Sequence, residues 1–203
     1  GGWRQRGSVD IDGVARSMVA WEDNSSNRRI AFGTHNKLYA MGSGDTVSDI
    51  TPAGFTSGRV DATAFTGYGA KTFGGGLYGL PVEDNNNILR ATTWSLENWG
   101  EYLLGCTADD GKIYEWQLDN STPAAALSNA PVDCSAMMVT EERFVFALGA
   151  GGNPRNVSWS DREDNNTWTP AATNEAGDIE IQTNGVILKG LRTRGQALIL
   201  TDQ

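Results

Sequence analysis

No window of a dozen residues in this chain carries apolar positions at i, i+3, i+4 and i+7 without Gly, Pro or Asn breaking in, which excludes an architecture of amphipathic helices. Short β-rich runs stand in their place: SMVAWE, RRIAFGT, NKLYAM, EYLLGCT, KIYEWQ, SAMMVT, RFVFALG, NVSWS, DIEIQ, VILKGL and QALILTD. Between them lie DNSSN, GSGD, TADDG, DNST, GAGGNP and EDNNT, all turn-forming clusters. Residues that pre-set or tolerate turn dihedrals, alternating with strand formers, predict an all-β chain of antiparallel strands.

The runs repeat. RRIAFGTHNKLYAM (28–41), EYLLGCTADDGKIYEWQ (101–117) and RFVFALGAGGNPRNVSWS (143–160) are each two strands joined by a turn, and QALILTDQ (196–203) begins a fourth copy. A short strand precedes each copy: SMVAW, TTWSL, CSAMMVT and VILKGLR. A further segment closes the first three: TVSDITPAGF, TPAAALSNAPV and TWTPAATNEAG. A unit of three or four antiparallel strands at a period of about 40–50 residues predicts β-propeller blades, three of them and the start of a fourth. Such an incomplete set cannot close a propeller, and residues 1–203 read as part of the propeller region of a longer protein, broken off at both ends.

The spacing is uneven. The interval from Ile30 to Leu103 is about thirty residues longer than that from Leu103 to Val145. The excess reads as a Gly/Tyr-rich insertion at about 55–93, between the first and second blades. Within it GYGAKT resembles the end of a phosphate loop, but Phe65 and Ala70 occupy both glycine positions of G-x-x-x-x-G-K-[ST]. The following FGGGLYGLP cannot hold the helix that such a loop needs. The glycines instead permit an extended rim loop, with Tyr68, Phe73, Leu77 and Tyr78 as candidate subunit contacts of large area and low entropy cost. A loop folded back on its own blade is the other reading.

Composition narrows function. A net charge of −9 argues against a groove that neutralises nucleic-acid phosphates. No apolar run is long enough for a membrane span, and nothing at the N-terminus resembles a signal peptide. The single histidine, His35, and two cysteines, Cys106 and Cys134, exclude Cys/His metal clusters of standard spacing. The cysteines read as reduced, half-buried thiols on strands, with a disulfide as the alternative. Trp21, Trp94, Trp116, Trp159 and Trp168 are expected to fill the space between blades.

A search for chemistry finds no assignable catalytic set. SDREDNNTW (160–168) resembles the Asp-box hairpin S-x-D-x-G-x-T-W, but Asp161, Glu163 and Asn165 depart from it. An Asp box is itself structural. The acid pairs Glu22/Asp23, Asp109/Asp110, Glu141/Glu142 and Asp161/Glu163/Asp164 lie at turns and read as solvated caps. VDIDG and SDREDNN offer oxygens without the ligand series of an EF-hand. Catalytic residues, cofactor and metal are all assigned as none, and the chain reads as a non-enzyme.

In order along the chain, GTHNKLYAMGSGDTVSDITPAGF, TGYGAKTFGGGLYG, TTWSLENWGEYLLGCTADDGKIYEW and RNVSWSDREDNNTW resemble the propeller-containing tail components of tailed phages, especially the nozzle (tail tubular) proteins of short-tailed phages. The resemblance covers nearly the whole chain. It implies a virion structural protein of the phage tail, assembled in the bacterial host cytoplasm. Other copies in a ring, commonly six, are the implied partners, with portal, adaptor and further tail proteins. Genomic DNA would pass through the ring without sequence-specific binding, which an acidic surface favours. A host-receptor or carbohydrate-binding propeller at the tail tip is the alternative.

Overall fold

The computed structural model describes residues 10–44, 46–62 and 90–203. Its strands form four antiparallel sheets, with no α-helix among the described residues. The first sheet contains β1 (Ser17–Glu22), β2 (Arg28–Gly33), β3 (Leu38–Met41) and β4 (Val47–Asp49) in that spatial order. The second contains β5 (Trp94–Trp99), β6 (Tyr102–Thr107), β7 (Ile113–Trp116) and β8 (Ala125–Ala126). The third contains β9 (Ala136–Val139), β10 (Val145–Leu148), β11 (Asn156–Trp159) and β12 (Gly177–Glu180). A hairpin of β13 (Ile187–Thr193) and β14 (Gln196–Thr201) makes the fourth.

Each repeated pair read from the sequence is thus the second and third strand of a sheet, and each preceding run is the first. The closing segments differ. TVSDITPAGF and TPAAALSNAPV hold the short β4 and β8, whereas TWTPAATNEAG is irregular up to Gly177, and the third sheet's last strand lies in the run DIEIQ.

Burial explains why some strands alternate and others do not. In β6 the period of two sends Leu103 to a core shared with the first sheet and Leu104 to one shared with the third. A strand covered on both faces must be apolar throughout, and all four residues of β9 are buried. β1 keeps an alternating pattern, with Trp21 buried between exposed Ala20 and Glu22. The first strands of successive sheets touch: β1 meets β5, β5 meets β9, and β9 meets β13.

Tryptophan fastens these seams. Trp21 on β1 donates its indole N–H to the Glu101 carbonyl (2.9 Å), at the β5–β6 turn. Trp99, at the end of β5, repeats the reach into the third sheet, donating to the Arg143 carbonyl (3.1 Å) at the β9–β10 turn. Trp94 bonds backward to the Thr34 carbonyl (2.8 Å). A Cβ on Gly33 would stand 2.1 Å from its ring, so only glycine lets β2 and β5 approach this closely. Of the five expected tryptophans, four are buried, and Trp159 is half-buried and stacked on Phe146 (5.9 Å).

Candidate functional site

The insertion's two ends are pinned together. Arg59 N–H donates to Thr92 Oγ1 (2.6 Å), and Thr92 N–H donates to the Arg59 carbonyl (3.1 Å). Asp109, in the β6–β7 turn, holds both sides: its carboxylate pairs with the Arg59 guanidinium (2.7 Å) and accepts from the Thr92 hydroxyl. Asp110 beside it accepts from the Thr56 N–H (2.9 Å) and the Tyr114 hydroxyl. These hydrogen bonds hold Asp110's carboxyl below its usual range against the opposing effect of burial. The same burial, with Asp110's charge, pushes the Tyr114 phenol well up.

The Asp109/Asp110 pair is therefore not a solvated turn. The sequence suggests one because the segment that covers the pair, residues 56–59 and 92, is distant along the chain. The excursion between these ends carries Tyr68, Phe73, Leu77 and Tyr78, all of which lie outside the described residues.

Above this neck lies a cavity of about 930 Å³, walled by Arg16, Arg59, Arg90, Thr92, Lys189 and Asp202 among others. It opens where the starts of the first strands converge. Arg16 is committed to structure, donating to the Arg59 and Val60 carbonyls and pairing with Asp61 (3.5 Å). Asp202 accepts the Val186 N–H (2.7 Å). Further along the same strands Glu97 is half-buried. Burial raises its carboxyl above the ordinary range, while the charges of Arg192 and Lys189 pull the other way.

Among the described residues the arrangement supplies charge and shape but no paired nucleophile and base. Cys106 and Cys134 are both free, but the reading of half-buried thiols on strands needs correction: both are fully buried, and only Cys106 lies on a strand, β6, while Cys134 precedes β9. Burial pushes the Cys106 thiol well up and that of Cys134 to about 12, so neither presents a thiolate. The described residues contain no group of three or more His, Cys, Asp or Glu able to hold a metal. His35 sits in the β2–β3 turn, where its carbonyl accepts the Gly58 N–H (2.7 Å).

The Asp-box-like stretch is a turn-capping device. Asp164 accepts the Asn166 N–H (2.9 Å) and the Thr167 hydroxyl (2.7 Å), and Trp168 donates to the Asn165 carbonyl (2.8 Å). Asp119 does the same in the second sheet, accepting the Ser121 N–H (2.9 Å) and the Thr122 hydroxyl (2.7 Å). The shared signal is D-N-x-T, present as DNST and DNNT. Counting from aspartate to threonine, instead of aligning on an Asp box, would have found it.

No helix among the described residues is long and apolar enough to cross a membrane. No family model, curated protein or solved structure matches the chain.

Proposed function

We propose that this chain is a run of β-propeller blades in a structural protein of a tailed-phage virion, one of several copies forming a tail ring through which genomic DNA leaves. The observation that carries the reading is the repeated seam. Successive antiparallel sheets touch through their first strands, and Trp21 and Trp99 make the same reach into the next sheet's first turn. Blades arranged around an axis share this plan. The quoted motifs add the resemblance to nozzle proteins, and a net charge of −9 suits a passage to which DNA must not adhere. The site chemistry fits a scaffold: its half-buried acids cap turns and clasp a connection.

Electron microscopy of the purified protein and of virion tails tests the proposal. The expected result is a ring with a channel wide enough for duplex DNA, found again within the tail. Density at the tail's outer tip, or particles without a channel, would overturn the conduit and favour receptor binding.

A further inference from the structure

Asn184 and Gly185 are the one Asn-Gly pair in the sequence, and they sit in the bend that links β12 to β13. Asn184 is exposed and Gly185 is buried. Packing demands the glycine: a Cβ there would stand 2.8 Å from Asp202 Oδ1 and 3.2 Å from the Gln203 backbone nitrogen, an approach that only glycine permits. The same missing side chain leaves the Gly185 nitrogen unhindered beside the side-chain carbonyl carbon of Asn184.

Asparagine is among the thermolabile residues of proteins, and its side chain is lost by attack from the backbone nitrogen of the residue that follows. That nitrogen must give up its proton, so a carboxylate that accepts the N–H holds the attack back. Other asparagines are guarded in this way. After Asn24, Asn120, Asn165 and Asn174 the next N–H donates to a carboxylate oxygen, of Asp23 (3.0 Å), Asp119 (2.9 Å), Asp164 (2.9 Å) and Asp161 (2.8 Å) respectively. The Gly185 N–H donates instead to the Thr183 hydroxyl at 3.2 Å, a longer contact to a neutral acceptor.

We propose that Asn184 is a site of spontaneous covalent modification, losing its side-chain amide to the Gly185 nitrogen, and that the product loosens the β13–β14 hairpin. A bond forms between Gly185 N and Asn184 Cγ while the Cγ–Nδ2 bond breaks, and Nδ2 leaves as ammonia with the proton that Gly185 gives up. Water then opens the cyclic imide at either carbonyl, which yields aspartate or isoaspartate. Isoaspartate lengthens the main chain by a methylene inside a bend pinned on both sides. The Ile181 N–H donates to the Arg155 carbonyl (3.0 Å), the Val186 N–H to Asp202 (2.7 Å) and the Ile187 N–H to the Pro154 carbonyl (3.0 Å). A longer chain cannot keep all three, and the last of them seats Ile187 in the third core.

Ageing the full chain at neutral and mildly alkaline pH, then mapping its peptides by mass and measuring hydrogen exchange, tests both halves. The Asn184 peptide is expected to turn acidic before any other asparagine peptide, and several-fold faster with each rise of a pH unit, because base must remove the Gly185 proton. In the aged chain the amides of β13 and β14 should exchange faster while those of β5 and β6 stay unchanged. Asn184→Gln keeps an exposed amide, but its longer side chain disfavours the cyclisation, so this variant should age without either change. Unchanged tryptophan fluorescence would verify its fold. An Asn184 peptide that persists while other asparagines convert would overturn the site. Conversion that leaves hairpin exchange unaltered, or an Asn184→Gln variant whose hairpin loosens equally on ageing, would overturn the consequence.

Discussion

The seam between the first and second sheets and the seam between the third sheet and the hairpin follow one plan with unequal material. The first gathers eleven buried residues, including Trp21, Trp94 and Trp116, with Phe55 stacked on Trp94 at 5.0 Å. Indole hydrogen bonds cross it in both directions. The last gathers four, Ala136, Leu148, Val157 and Ile187, and no tryptophan occupies the position of Trp21 or Trp99. Stability in a stacked-repeat architecture is close to a sum of unit and interface terms. The chain should therefore be firm at its first seam and prone to local opening at its last.

Truncating Trp94 should break the comparison most severely. The side chain is 3 % exposed and contacts both sheets, so Trp94→Ala should cost about 3–5 kcal/mol, read as a lower urea midpoint at unchanged slope. Gly33→Ala attacks the same seam from the other side. It forces a methyl into the Trp94 ring and should cost about 1–3 kcal/mol. If either leaves the midpoint unchanged, the first seam is not what holds the two sheets.

At the weak end, Ile187→Ala should cost about 2 kcal/mol, at the low end of the range for such truncations, because hairpin opening already competes with the buried state. Hydrogen exchange checks this directly. Backbone amides of β13 and β14 should exchange faster than those of β5 and β6 in the wild-type chain, and Ile187→Ala should accelerate the hairpin alone. Equal protection at both ends would remove the gradient.

Much of this was legible in the sequence, for a definable reason. Strands with one covered face alternate, as SMVAWE does, and strands with two covered faces are continuously apolar, as in SAMMVT; both patterns persist over enough residues to be read. The outer strands are two to four residues long, too short for any period, so DIEIQ is legible as a strand but not as the segment that closes the third sheet in place of TWTPAATNEAG. Trp99 was passed over because its role depends on Arg143, 44 positions away. Asp109 and Asp110 looked like turn caps because their identity fits a turn equally well; only the returning segment at 56–59 and 92 makes them a clasp.

Between the two ends lies a seam of intermediate strength, where Trp99 reaches the Arg143 carbonyl and its ring lies beneath the guanidinium at 4.9 Å. Trp99→Phe keeps an aromatic face but removes the donor, leaving the Arg143 carbonyl with the Glu163 N–H alone (3.3 Å). A loss of about 1–2 kcal/mol is expected, smaller than for Trp94→Ala. A loss as large as that for Trp94 would mean the second and first seams are equal and the gradient is a single step at the hairpin.

The smallest effect concerns the capped turn that packs Trp168 into the second core. The Asn166 N–H, then the Thr167 hydroxyl, hold the Asp164 carboxyl below its usual range. A carboxyl whose folded value lies below its unfolded value stabilises the fold above the unfolded value of about 4, and that contribution fades as pH falls through the lower, folded value. Asp164→Asn keeps an acceptor but loses the charge, so at pH 7 it should cost about 0.5–1 kcal/mol. The difference from wild type should shrink as pH drops below about 4. Urea midpoints for both proteins across that range provide the check. A difference that stays constant with pH would mean that the turn depends on the shape of the side chain and not on its charge, and that the D-N-x-T caps do not contribute to acid sensitivity.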